Sequence, residues 1–227
     1  MTYRQRSYAD TMTDSGAEQV RAVVLAGGRS TRFGAENKAL ATFDGRPLVD
    51  RAVGAVAEAT DGTPILSVST DTQADRLAIA LQNREVETVY DSETHAGPLA
   101  GLSAAVETVD APWLFVCACD VPLVTPDSVG ALTARLGQDG AGSAGELDAV
   151  VPVVEGYEQP LHALYRRPGV AATVDELTES DAMMALLDRL TVERVEAGDA
   201  NAALAAATTN VNTKADLESV RDCYDGG

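Results

Sequence analysis

Between residues 25 and 38 the chain reads LAGGRSTRFGAENK, which places Gly27, Gly28 and Gly34 among Arg29, Ser30, Arg32 and Lys38. Glycines let backbone N–H groups turn towards phosphate oxygens, and the cations offset the charge that arrives. An Ala-Gly-Gly turn alone is usually only a turn; Arg32, Gly34 and Lys38 tip the reading towards an anion loop. Two familiar phosphate loops do not fit. A P-loop needs Gly, four residues, then Gly-Lys-Ser/Thr, whereas here five residues separate Gly28 from Gly34 and Ala39 follows Lys38. The dinucleotide fingerprint GxGxxG fails because Gly27 and Gly28 are adjacent.

Asp120 is the second residue that could do chemistry. It closes an almost wholly apolar run, WLFVCAC at 113–119, and a carboxylate there must be hydrated, paired or metal-bound. Beside a phosphate loop its natural partner is Mg²⁺, which takes one or two carboxylates together with phosphate oxygens. Alone, Asp120 could equally cap the turn before Pro122. Asp91 stands at a matching strand end, with turn formation as its alternative. His95 and His162 are too few and too far apart for a metal site or a Ser/His/Asp arrangement. Cys117 and Cys119 lie two apart in a strand and share one face, which suits core thiols; with Cys223 the count is odd, and there is no CxxC pair.

These residues need elements to position them. Residues 20–25 form a β-branched and aliphatic strand that opens into the glycine loop. Further strands are expected at 64–69, 86–90, 113–119, 149–154, 161–165, 192–195 and 209–211. Helices are expected at 47–59, 71–81 and 98–109, from Pro126, and at 169–177, 182–190 and 214–223, with a flexible loop at 137–146. Such alternation implies a parallel α/β sheet whose ligands sit at the carboxyl ends of its strands. That edge collects Gly27, Gly28, Ser69, Asp91 and Asp120. Residues 1–19 are polar and aperiodic and read as a disordered extension, leaving 20–223 as one domain.

The 227 residues are 45% apolar and carry 35 acidic against 17 basic side chains, a net charge of −18. That balance argues against nucleic acid, whose affinity comes from Lys and Arg. No apolar run approaches 18 residues and no secretory signal is seen, so a soluble cytoplasmic protein without a membrane partner is expected. Only two lysines occur, Lys38 and Lys214, which makes a lysine inside the glycine loop less easily dismissed as surface decoration.

In sequence order, several segments resemble one family. Residues 25–38 resemble the nucleotidyltransferase signature LAGGxSxRMGxxK, with Phe33 in place of the usual Met. Asp91 with GPLAG at 97–101 resembles a D…GPLAG segment, and CDVP at 119–122 a CDxP element. QPLHALY at 159–165 and NVNT at 210–213 resemble the later QPLxAlY and NxNT elements. GPLAG and NVNT together point to the molybdenum cofactor guanylyltransferases. The resemblance implies a three-layer αβα fold with a mostly parallel, Rossmann-like nucleotidyltransferase sheet. It implies Mg²⁺ as cofactor and GTP with molybdopterin, or its molybdenum-loaded form, as substrates. It also implies transient contact with proteins that deliver or accept the cofactor.

Nucleotide contacts are then expected from Leu25, Ala26, Gly27, Gly28, Lys38, Asp91 and Asp120, with Asp120 also holding the metal. Ser69 is included too, at the position where some members carry Asn. Gly97, Pro98 and Leu99 are expected to contact substrate. Asn210 and Asn212 either line the pterin side or cap the last helix. A terminal phosphate of the pterin would attack the α-phosphorus of GTP in line. Arg32 and Lys38 would offset charge on the triphosphate and departing pyrophosphate, so positioning and charge neutralisation would carry catalysis. A CTP-using relative, a GTP-using enzyme acting on cobinamide phosphate, and a non-catalytic nucleotide binder remain alternatives. Gly28 after Gly27 favours guanine over cytosine.

Overall fold

The computed structural model describes residues 19–28, 37–81, 83–136, 147–198 and 201–225. The first strand, β1 (Val20–Leu25), is aliphatic at nearly every position and is buried on both faces. It pairs in parallel with β4 (Ile65–Val68) on one side and β6 (Trp113–Ala118) on the other. Beyond β4 lies β5 (Glu87–Tyr90), also parallel. All four strands therefore end at one edge.

On the far side of β6 one strand of the main order runs the other way. The strand β9 (His162–Arg166) runs antiparallel to β6 and also to β7 (Ala149–Val154), while β10 (Val192–Glu196) is parallel to β7. Only residues 155–161 separate β7 from β9, including the short β8 (Tyr157–Glu158). A parallel crossover needs a dozen or more residues, so the chain must return antiparallel. The sheet is mostly parallel, as expected, with this reversal set by the short connection. Among the described residues the sheet has eight strands, ordered β10-β7-β9-β6-β1-β4-β5 with β8 beside β7.

Helices cover both faces. One face carries α1 (Leu48–Ala59), α2 (Asp71–Ala80), α4 (Pro126–Thr133) and α7 (Ala202–Ala207), packed over Val24, Leu66, Phe115 and Leu164. The other carries α3 (Pro98–Thr108), α5 (Arg167–Val174) and α6 (Met183–Leu187), over Val23, Ile65, Leu114 and Tyr165. Side chains one apart on β1 and β6 go to opposite layers, as the twofold strand period requires. The result is the expected three-layer αβα arrangement.

Two departures lie next to the edge of interest. Asp44 and Gly45 take positive φ and turn a small hairpin, β2 (Thr42–Phe43) and β3 (Arg46–Pro47), not anticipated from the sequence. The strand expected at 209–211 does not form. The Val211 amide donates to the carbonyl of Asp120, just past β6, at 3.0 Å, before the chain enters α8 (Lys214–Asp225). Val211 is instead a plug, fully buried with Phe43, Leu48 and Leu217 in a small third core.

Candidate active site

The four parallel strands end in residues that can meet a ligand. The Ala26 amide continues the β1–β4 ladder to the Ser67 carbonyl at 2.9 Å. The Cys119 amide reaches the Leu25 carbonyl at 3.0 Å, and the Asp91 amide the Val68 carbonyl at 2.9 Å. The glycine loop, Asp91 and Asp120 are thus held side by side by backbone bonds. A cavity of about 390 Å³ opens above them.

Asp91 closes one wall. Its Oδ1 accepts from the buried Ser67 hydroxyl, and its Oδ2 from Ser69 Oγ at 2.7 Å. Gly27 packs so closely against it that a Cβ would overlap the carboxylate and approach Ser69 Oγ to 2.7 Å. Only glycine fits there. The N-terminus of α3 forms the adjoining wall. Gly97, with φ of +61°, makes the turn into Pro98 that most L-residues resist.

The opposite wall holds the charged pair. Lys38 begins a single 3₁₀ turn, Lys38–Leu40, capped by Asn37, whose Oδ1 accepts from the Ala39 amide at 3.0 Å. The Lys38 ammonium meets Asp120 Oδ2 in a direct ion pair and donates to Asn212 Oδ1 at 2.9 Å. Asp120 Oδ1 is buried and has no hydrogen-bond partner among the described residues. Asn212 is itself fixed from behind. Asp216 Oδ2 accepts from the Asn212 and Thr213 amides at 2.8 and 2.9 Å, and the Asp216 amide donates to Thr213 Oγ1 at 3.1 Å. The bond from the Asn212 amide, with Thr213 assisting, holds the Asp216 carboxyl below the usual carboxylate range. Thr213 and Asp216 thus cap α8, which leaves Asn212 to face the cavity.

The cavity brings together Leu25, Ala26, Gly27, Gly28, Lys38, Asp91, Gly97, Pro98, Asp120 and Asn212. Three expected residues stand outside its lining. Leu99 is fully buried, packing α3 onto the sheet. Ser69 Oγ is turned to the Gly27 carbonyl and Asp91. Asn210 lies one bond back, its Oδ1 accepting from Asn212 Nδ2 at 3.3 Å. Arg32, with Arg29, Ser30 and Gly34, lies outside the described residues. The lining also includes Asn37, Cys119 and Leu161, which sequence reasoning did not assign to the site although each adjoins or lies within a quoted motif.

Cys117 and Cys119 are core thiols. Burial, with the charge of Asp120 adding to it, pushes Cys117 up to about 12 and Cys119 higher still, so neither is a thiolate near neutral pH. His162 is buried edge-on to Phe115, the ring centroids 5.0 Å apart. Among the described residues neither of its ring nitrogens has a hydrogen-bond partner of normal geometry. Burial pulls it down to about 4, and a weak contact with the Ser128 backbone offsets this only in part. It is a neutral core residue.

The model of the MobA-like NTP transferase domain family matches residues 22–195, the span that carries the glycine turn, Lys38, Asp91 and Asp120. The chain belongs to this family. A probable molybdenum cofactor guanylyltransferase of Bacillus licheniformis is 34% identical over 205 residues, covering 90% of this chain and 97% of its own length. One from Natronomonas pharaonis is 32% identical over 208 residues, covering 88% and 96%. Among solved structures, the molybdopterin-guanine dinucleotide biosynthesis protein A of Archaeoglobus fulgidus superposes with a TM-score of 0.70 at 22% identity, covering 91% of this chain and 100% of that one. At that identity the likeness speaks for the fold.

The family's nucleotidyltransferases work with a divalent metal, and the residues present fit one. Asp120 offers a buried oxygen with no donor among the described residues, next to space for phosphates. Among the described residues no cluster of three or more His, Cys, Asp or Glu side chains could cage a metal unaided. A cation completed by substrate oxygens is the kind this site suits.

Proposed function

We propose that this protein transfers GMP from GTP to molybdopterin or the molybdenum cofactor, forming the guanine dinucleotide cofactor and pyrophosphate. The observation that carries the reading is the convergence of Gly27, Gly28, Lys38 and Asp120 on one cavity in a chain of the MobA-like family. An oxygen of the pterin's terminal phosphate attacks the α-phosphorus, a P–O bond forms to GMP, and the α–β bridging bond breaks with its electrons leaving on pyrophosphate. A phosphate monoester is already nucleophilic near neutral pH, so the site needs no strong general base. Neither histidine lines the cavity among the described residues: His162 lies in the core and His95 is not part of the lining.

The work of the protein is positioning and charge. The amides of the glycine turn hold the nucleotide. Lys38, steadied by Asn212, offsets charge on the triphosphate and then on pyrophosphate; Arg32 is assigned the same task. Asp120 would hold Mg²⁺, and the cation would supply positive charge against that of the triphosphate. Its Oδ1 is the free donor, while Oδ2 is engaged by Lys38. Asp91 orders the nucleotide side through Ser67 and Ser69. Gly97 and Pro98 at the start of α3, with Asn212, border the acceptor.

Among the described residues no helix is long and apolar enough to cross a membrane, and we assign the enzyme to the cytoplasm. Nucleotide competition and pyrophosphate release test the proposal. GTP should outcompete CTP, and pyrophosphate should appear only with GTP and molybdopterin together. Tighter CTP binding, or binding of GTP with no pyrophosphate released, would overturn it.

A further inference from the structure

The glycine turn is gripped from behind by side chains that do not line the cavity. Gln73 stands in the first turn of α2, which begins at Asp71 after its N-cap Thr70. Its Nε2 donates to the Ala26 carbonyl at 2.5 Å, and its Oε1 accepts from the Ser69 amide at 2.8 Å. One residue on, the Gly27 carbonyl accepts from Ser69 Oγ. Two successive carbonyls of the turn are therefore held towards β4 and α2.

In a trans peptide the N–H points opposite to the C=O, and the described residues contain no cis peptide bond. Holding the Ala26 and Gly27 carbonyls back therefore turns the Gly27 and Gly28 amides the other way. Ala26, Gly27 and Gly28 line the cavity, so that other way is the ligand's side. We infer that Gln73, with Ser69 beside it, is a positioning residue: it clamps the carbonyls of the glycine turn so that consecutive amides are already aimed at the nucleotide. The inference rests on the function proposed above and adds to it what sets the loop's donors. Donors fixed in advance need no ordering when the ligand arrives.

The two arms are unequal. The Ser69 hydroxyl has one proton, shared between the Gly27 carbonyl and Asp91 Oδ2. The Gln73 amide gives a whole N–H to Ala26, so Gln73 carries the test. Thr70 and Gln73 also have the T-x-x-Q spacing of a capping box. A purely structural role would therefore be to start α2.

Gln73→Glu separates the two roles. A glutamate keeps the acceptor for the Ser69 amide and suits the first turn of a helix, but it cannot donate to Ala26. Gln73→Met removes the donor without adding charge. GTP binding with Mg²⁺ is measured by calorimetry on the full chain, beside thermal unfolding without ligand. Both variants should melt within about 2 °C of the parent. Both should bind GTP about tenfold more weakly, the scale of a carbonyl left without its donor. In turnover, kcat/KM for GTP should fall in step while KM for the pterin holds.

GTP affinity within twofold of the parent in both variants overturns the clamp. So does weakening confined to Gln73→Glu, which would mean charge repulsion, or weakening that only tracks a fall in melting temperature. A parent protein that binds no GTP removes the proposed function itself, and the clamp with it.

Discussion

The ion pair between Lys38 and Asp120 can be weighed without any substrate. Their side chains are 13% and 18% exposed, partly but not fully withdrawn from water. Two unit charges at about 4 Å attract by about 4 kcal/mol at the effective dielectric near a protein surface. Desolvation and side-chain ordering take back a large share, which leaves a net value of about 2 kcal/mol. Lys38→Met strands a carboxylate whose Oδ1 already has no partner. Asp120→Asn leaves the ammonium facing a neutral amide. Each change should therefore destabilise the ligand-free protein by about 2 kcal/mol, a fall in melting temperature of roughly 4–8 °C at this chain length. The double variant should lose much less than the sum, by about 1–2 kcal/mol, because the two changes remove one interaction. Thermal and urea unfolding of all four proteins in metal-free, nucleotide-free buffer give the cycle. Additivity within about 0.3 kcal/mol would show that the two groups do not interact, and the charged wall of the site would have to be redrawn.

Other outcomes follow from the same geometry. Asn212→Ala removes the acceptor that steadies the Lys38 ammonium, and a hydrogen bond to a charged group is worth about tenfold or more. Steady-state kinetics should show kcat/KM for GTP down by roughly that factor with the fold intact by circular dichroism. His162 is held neutral in the core at about 4 against about 6.5 when unfolded. The unfolded chain thus takes the proton first. This stability is complete above about pH 6.5 and declines by up to about 3 kcal/mol as pH falls towards 4. Melting curves across that range should flatten in His162→Leu, and an unchanged acid slope would clear His162 of the effect. Of the three cysteines only Cys223 is exposed, so one thiol should react rapidly with a disulfide reagent in the native protein and the other two only on unfolding. Rapid reaction at Cys117 would mean that the β6 edge opens, and at Cys119, which borders the cavity, that the reagent reaches it from there.

Much of the site could be read before the fold was known because each part obeys a local rule. The apolar runs at 20–25 and 113–119 predict buried strands, and β1 and β6 do end beside each other at the glycine turn and Asp120. What the sequence does not display is which neighbour a polar side chain chooses. Ser69 looked free to meet a nucleotide, yet its hydroxyl turns back to Gly27 and Asp91. Leu99 sits inside a recognisable motif, but helical spacing carries its side chain into the core. Asn212 could have capped α8; the Thr213–Asp216 pair three residues apart performs that task, and its T-x-x-D spacing was a usable signal. Thr70 and Gln73 carry the related T-x-x-Q spacing, a signal the sequence reading did not use. The reversal at β9 was readable too, since residues 155–161 cannot hold a crossover. The strand expected at 209–211 failed for a different reason. Val211 alternates with polar residues as a strand would, but here the pattern serves one buried plug and not a ladder.

The most direct measurement is the mass of the product. The protein is incubated with Mg²⁺, molybdopterin and each of ATP, CTP, GTP and UTP in turn. GTP should yield a pterin heavier by one GMP and an equal amount of pyrophosphate, and the other three should yield none. A cytidylyl adduct in preference to the guanylyl one, or no adduct with any nucleotide, would contradict the account.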